Sequence, residues 1–380
     1  MRNGKNDIQQ AFFALVRGGL WEKEVRLSQF GEVDYEKMMC LAEEQSAVGL
    51  VTAGLEHVKD VKVPKEELLQ FVGQSLQIEQ RNEAMNAFIE DLYGRMQRRN
   101  MYSILMKGQG IAQCYERPLW RTSGDIDLLV NGDNYDKTKK WFRTFALVDE
   151  DENVFRKRLN LKVDSWDVEL HGTMRGELGG RIDRLIDEVQ RDIFYGGDVR
   201  SWHNGKTTVF LPSANGDVIF VFTHILQHFF RGGIGLRQIC DWCRLMWTYK
   251  DSLNHELLES RIKRMGVMSE WRAFYYLATH YLGMPDVGSS FMVQGSSEKR
   301  LKRKAERIMN YVMEVGNFGH NRDMSYKTEK PFMVRMMISL KHRTSDFMKQ
   351  VMVFPLDAVR AYWYIWGTGL KVVAKRMLSK

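Results

Sequence analysis

Apolar residues recur at helical spacing through the first hundred positions of the chain. DYEKMMCLAEEQSAVGLVTAGLEHV (34–58) starts on Asp34, a suitable N-cap. PKEELLQFVGQSLQIEQRNEAMNAFIEDLYGRMQRR (64–99) starts on Pro64, which a first helical turn accepts. From about 101 the pattern shortens. MYSILMKG, DIDLLV, NVFRKRL, SWDVELHGT and KTTVFLP read as strands separated by turn residues, and the turn NGDN leads into an amphipathic helix, YDKTKKWFRTF. After Pro212 the spacing is helical again to the C-terminus, with loop breaks near 283–290 and 316–325. The expectation is an α+β fold: a small mixed-sheet core at 101–212, flanked by an N-terminal helical region, 1–100, and a C-terminal helical region, 213–380. No repeat at a fixed period and no low-complexity tract interrupts this plan.

Composition narrows the class. The chain has 380 residues, 44% hydrophobic and 27% charged, with six prolines, which is ordinary for a globular, helix-rich protein. Four cysteines in this length do not make a disulfide framework. The opening MRNGKNDIQQ has no apolar run behind it, so no signal peptide is expected, and no stretch approaches 18 uncharged apolar residues. The expected compartment is the cytoplasm, with no transmembrane segment. A net charge of +8 is compatible with phosphate-rich ligands, nucleic acid or an anionic membrane surface and selects none of them.

The candidate chemistry lies in WRTSGDIDLLV, where Asp125 and Asp127 stand at the head of an apolar strand. Residues i and i+2 of a strand project to one face, with Cα atoms roughly 6.5–7 Å apart. Two carboxylates aimed at one spot repel, and cations relieve the repulsion. Hard oxygen ligands suit Mg²⁺, which takes one or two carboxylates together with substrate phosphates. A third acid is available in SWDVELHG, whose Trp166, Val168 and Leu170 alternate with Asp167, Glu169 and His171. Glu169, flanked by apolar residues, is the preferred ligand, and Asp167 could substitute for it. The bland alternative is a pair of acids that caps a turn.

LMKGQGIAQCYERPLWRTSGDIDLLV followed by WDVELH resembles the polymerase-beta-like nucleotidyltransferase superfamily, and most of all its bacterial branch of uncharacterised nucleotidyltransferases. That branch resembles hLKG…Y…R…DiDlLV…vElH, where h is apolar, and Lys107, Gly108, Tyr115, Arg121, Asp125, Asp127, Glu169 and His171 stand at those places. The wider superfamily holds the triphosphate on a Gly-Ser turn ahead of the D-x-D. Here the turn reads KGQG, longer and without Ser. The resemblance implies that Gly108 lets the backbone approach a phosphate, that Lys107 or Arg121 supplies charge, and that Gln109 and Ser123 donate hydrogen bonds. It implies Mg²⁺ or Mn²⁺, as two ions about 3.5–4 Å apart, bridged by Asp125 and Asp127, with Glu169 completing the ion that activates the acceptor and serving as base. A nucleoside monophosphate would then pass from an NTP to a hydroxyl or phosphate acceptor (sugar-phosphate, protein or RNA), with release of pyrophosphate. The competing expectation is a catalytically degenerate nucleotide- or RNA-binding module.

Other signals are weaker. KGQGIAQ lacks the third Gly of a dinucleotide loop, since Gln113 stands there. Cys240 and Cys243 in CDWC lie within a helical pattern, have no second cysteine pair, and read as core. His224 and His228 share a helical face without the glutamate of a zincin, and they are candidates to contact nucleotide or acceptor if that helix lines the cleft. Arg231, Arg237 and Asp241, around GGIG, are similar candidates. SSEKRLKRKAER (296–307) reads as a solvated helical face. Near the C-terminus, Tyr362, Trp363, Tyr364 and Trp366 precede Lys371, Lys375 and Arg376, a mixture that fits peripheral membrane contact or an aromatic core helix.

Overall fold

The computed structural model describes residues 4–149, 152–153, 157–288, 298–319, 321 and 332–378. Four helices come first: α1 (Gly4–Trp21), α2 (Tyr35–Glu44), α3 (Val48–Glu56) and α4 (Lys65–Gln97). Asp34 caps α2 by accepting the backbone N–H of Lys37 at 3.0 Å. The single helix expected over 34–58 is broken at Gln45–Ala47, where Ser46 adopts a positive φ of 52°, so α2 and α3 can pack at different angles. The α1–α3 contact is close enough that a Cβ on Gly54 would lie 2.1 Å from the carbonyl of Leu15, which only glycine permits.

The middle of the chain supplies β1 (Ser103–Met106), α5 (Gly108–Ala112), β2 (Ile126–Val130), α6 (Tyr135–Phe142), β3 (Val148–Asp149), β4 (Arg158–Val163), β5 (Trp166–His171), α7 (Gly180–Tyr195), β6 (Val199–Asn204) and β7 (Thr207–Pro212). They form one seven-stranded mixed sheet in the order β3-β4-β5-β2-β1-β7-β6. β2 pairs with β5, and β1 with β7, in parallel, while the other neighbours are antiparallel. The fold is α+β with helical regions at both ends. Three elements were not anticipated, β3, β6 and α7. VRSWHN has few apolar positions and becomes a strand through its antiparallel pairing with β7. The predicted strand NVFRKRL is displaced to begin at Arg158, and residues 154–156 lie outside the described set.

Each sheet face has its own cover. Leu105, Ile126, Leu128, Val130, Val168 and Leu170 join Met85, Ile89, Leu92 and Met96 of α4 in one apolar cluster. The alternate residues Ile104, Met106 and Leu129 turn the other way and join a larger cluster with the C-terminal helices. Those are α8 (Ala214–Arg231), α9 (Leu236–Thr248), α10 (His255–Met265), α11 (Met268–His280), α12 (Glu298–Val315), α13 (Phe332–Val351) and α14 (Pro355–Leu378). Phe222 of α8, Trp242 of α9 and Trp271 of α11 meet within it, with Trp271 edge-on to both of the others and its ring centroid 4.9 Å from each. The same cluster takes in α1 and α3, and Gln45 ties the ends of the chain together. Its amide accepts the N–H of Leu236 at 2.9 Å and donates to the carbonyl of Val312 at 3.2 Å.

Cys240 and Cys243 are fully buried free thiols, and burial raises the pKa of each. No described helix is long and apolar enough to cross a membrane. On α14, Ala358 and Ala361 face the body while Leu356 and Trp363 are 69% exposed. The side chains of Lys371, Lys375 and Arg376 lie outside the described residues.

α14 docks through an unusual pair of acids. Glu270 of α11 is 1% exposed and hydrogen-bonds the carboxyl of Asp357. Burial first, and Asp357 second, push its pKa from 4.5 up to about 8. Unfolding therefore releases a proton between those values. The stability contributed by Glu270 is fully present below about pH 4.5 and is lost as pH rises through about 8. The expected slope in this window is about 1.4 kcal/mol per pH unit. Urea denaturation across that range should show it in the wild type, and Glu270→Gln should flatten it.

Candidate active site

Strand register builds the site. In the parallel β2–β5 pair Asp127 lies opposite Glu169, and Leu129 opposite His171. In the antiparallel β1–β2 pair Met106 lies opposite Asp127, so Lys107, the next residue, comes beside it. Asp127, Glu169 and His171 all point away from α4, toward α8 and α9. An open-sided cavity of about 290 Å³ separates the sheet from those helices, at the small end of the range for ligand sites. Asp125, Asp127, Glu169, His171, Lys107, Gly108 and Arg121 line it, and so do His224, His228, Arg231, Arg237 and Asp241 from the helical side.

Asp127 is the most enclosed of the acids, at 2% exposure. Lys107 Nζ lies 3.0 Å from its Oδ2 and His171 Nε2 lies 2.8 Å from its Oδ1. Burial alone would raise its pKa, but Lys107 and His171 outweigh burial and hold the carboxyl well below its ordinary range. Burial also opposes charge on Lys107 and His171, and again the acids win. The Lys107 pKa is raised by Asp127, Asp125 and Glu169, and that of His171 by hydrogen bonds to Asp127 and Glu169. Glu169 pairs with Arg158 of the adjacent strand, and its Oε2 is 3.3 Å from His171 Nε2.

Asp125 differs from the other two acids. It precedes β2, is exposed to the cavity, and has no ion-pair partner among the described residues. Repulsion from Asp127, followed by burial, raises its pKa. Ligand atoms of Asp127, Glu169 and His171 all lie within 4.8 Å of one another, an arrangement able to hold a metal ion. Asp167, the alternative to Glu169, pairs with Lys162 at 3.0 Å on the exposed side of β5 and does not line the cavity.

The turn before α5 is strained. Lys107 has φ 56° and ψ −143°, a region costly for any residue with a Cβ, and Gly108 follows at φ 44°. This double turn brings the Lys107 ammonium back to Asp127. Gln109 and Ser123, expected to donate to phosphate, lie behind the wall at 1% and 7% exposure. The Gln109 amide donates to Ser123 Oγ at 3.1 Å and to Asn82 Oδ1 at 2.7 Å, and Asn82 in turn donates to the carbonyls of Leu119 and Arg121. These polar groups fix the 119–123 loop.

Arg121 is committed to a carboxylate. It makes a bidentate pair with Asp241, Nε to Oδ1 at 2.8 Å and Nη2 to Oδ2 at 2.6 Å, with both side chains nearly sealed from solvent. Tyr115 donates to the same Oδ1 at 2.8 Å. Burial would raise the Asp241 pKa, but Arg121, Arg237 and Tyr115 hold it below its ordinary value. The pair therefore anchors α9 to the loop that leads into Asp125.

His224 and His228 face each other one helical turn apart, Nε2 to Nε2 at 3.1 Å, so one ring donates and the other accepts. Burial, with Lys107 next, lowers both pKa values, that of His228 to about 3. They give the cavity an uncharged polar wall. Arg158, Arg175 and Glu177 also line the cavity and were missed in sequence, because Arg158 reaches the site only through the β4–β5 register and the other two lie in an irregular loop.

The family model for uncharacterised nucleotidyltransferases matches residues 31–283, more than half of the chain. The chain belongs to that family. No curated protein and no solved structure matches it. The match extends beyond the sheet into α2–α4 and α8–α11, so it includes both walls of the nucleotidyltransferase cavity.

Removing Asp241 from this nucleotidyltransferase strands a buried guanidinium. Asp241→Ala should destabilise the fold by about 3–5 kcal/mol. The double replacement Arg121→Met with Asp241→Leu should cost less than the single one. Urea denaturation midpoints compare the two.

Proposed function

We propose that the protein is a metal-dependent nucleotidyltransferase that moves a nucleoside monophosphate from an NTP to a hydroxyl or phosphate acceptor. The observation that carries this is the convergence of Asp127, Glu169 and His171 within 4.8 Å, with Asp125 unpaired at the cavity edge, in a chain of nucleotidyltransferase family. The donor set fits a divalent ion. Carboxylates suit Mg²⁺ and Mn²⁺, and an imidazole nitrogen tilts a mixed set toward transition ions such as Mn²⁺. Asp127, Glu169 and His171, with Asp125 alongside, are the residues that would hold it. A bound ion would supply positive charge to the reacting phosphate oxygens.

The protein's own groups account for the rest. An acceptor oxygen forms a bond to the α-phosphorus, the α–β bridging bond breaks, and pyrophosphate leaves with the bonding pair. Glu169, partly exposed and oriented by Arg158 and His171, takes the acceptor proton. Lys107, kept protonated by three carboxylates, neutralises charge beside the D-x-D turn. Gly108, with no side chain, leaves the backbone open to a phosphate. The exposed Leu356 and Trp363 support peripheral membrane contact through α14.

The test is pyrophosphate release from each NTP in Mg²⁺ and in Mn²⁺. Asp127→Asn should fold and lose about a thousandfold or more in rate, the equivalent of about 4 kcal/mol of transition-state stabilisation, and EDTA should abolish turnover. Full turnover in Asp127→Asn would overturn the assignment. Salt-dependent RNA binding with no metal requirement and no pyrophosphate would identify a binding module instead.

A further inference from the structure

Among the described residues six Lys and Arg side chains line the cavity, and five have a carboxylate within ion-pair distance. Lys107 pairs with Asp127, Arg121 with Asp241, Arg158 with Glu169, Arg175 with Asp187 and Arg231 with Glu177. Arg237 has no ion-pair partner among the described residues. Its Nη1 donates to the carbonyl of Thr122 at 2.5 Å, and its Nε is buried without a hydrogen-bond acceptor. Asp241, one turn further along α9, is near but committed, since Tyr115 and Arg121 engage both of its oxygens. Burial, and Arg121 beside it, hold the Arg237 pKa below its ordinary value.

A buried orphan donor on a charged group is costly, and native structures retain few of them. Arg237 is also the second residue of a 13-residue helix, so the positive end of that helix dipole adds to its charge. Across the same cavity, Asp125 is an acid without an ion-pair partner. The site therefore presents an acid on the sheet side and a guanidinium on the helix side, neither of them in an ion pair among the described residues. This is the complement of a cation bound to a polyphosphate, and a planar guanidinium suits phosphate oxygens.

We infer that Arg237, at the start of α9, binds a phosphate group of the substrate. The anionic chemistry follows from the protein's own charge balance, while the identity of the ligand as nucleotide rests on the function proposed above. The experiment is equilibrium binding of the four NTPs, inorganic tripolyphosphate and a sugar monophosphate to the full chain, its Arg237→Gln variant and its Arg237→Lys variant. Thermal melts serve as the control for folding. Arg237→Gln should weaken NTP and tripolyphosphate together by about 10- to 100-fold, with Arg237→Lys between it and the wild type. Weakening of the sugar monophosphate alone would support the site and assign the phosphate to the acceptor. Binding of tripolyphosphate that depends on Arg237, without binding of any NTP, would keep the site and remove the nucleotide reading. Equal binding of every anion by wild type and Arg237→Gln would overturn the inference, and so would a wild type that binds none of them.

Discussion

Asp127 and Glu169 face each other across the parallel β2–β5 pair, and like charges set directly opposite on neighbouring strands push those strands apart. Around that repulsion the sheet side of the site is arranged. Lys107 approaches one carboxylate from β1, Arg158 approaches the other from β4, and the His171 imidazole lies between them. The strained Lys107–Gly108 turn follows from the same requirement, because β1 must reverse immediately after Met106 if its lysine is to return to Asp127. Both carboxylates thus enter any reaction already oriented by fixed positive charge, and little reorganisation is needed to receive more.

The helical side is held by a different pairing. Arg121 and Asp241 are both sealed from water, and a pair of this kind gains little stability over apolar packing, although breaking it is expensive. Its evident contribution is placement. It joins the loop before Asp125 to the middle of α9 and so sets the separation between the two walls of the cavity. Tyr115 and the Ser123–Gln109–Asn82 chain extend the same fixation backward into α4.

Much of this was legible in the sequence. The alternation of Trp166, Val168 and Leu170 with Asp167, Glu169 and His171 located β5 and its polar face. The DIDLLV run located β2, and Lys107 stood out through the resemblance of its LMKG run to the family pattern. Spacing alone did not separate Glu169 from Asp167, since both share a face, and register places Glu169 opposite Asp127 while Asp167 pairs with Lys162. Gln109 and Ser123 were expected as phosphate donors only through the family resemblance. They face inward here, where Gln109 donates to Asn82 of α4 and to Ser123, and Ser123 accepts from Arg121. Arg158 and Arg175 were invisible for a related reason, since nothing local distinguishes a surface arginine from one that strand pairing, for Arg158, or a loop, for Arg175, carries into a cleft. β6 was missed because its pattern is polar and its stability comes from β7.

Gln45 sits in the break between α2 and α3, far in the chain from every acid of the cavity, yet its side-chain amide receives the first N–H of α9 and reaches the last turn of α12. The pitch of α9, and with it the aim of the guanidinium at Arg237, is therefore calibrated by a residue in a segment that contributes no chemistry of its own. Cut free of its terminal helices, the sheet would display its carboxylates on an open face with no opposing jaw. The geometry of the cavity belongs to the joint between the sheet and the helical shell, and selection on ligand fit would register at positions that never meet a ligand.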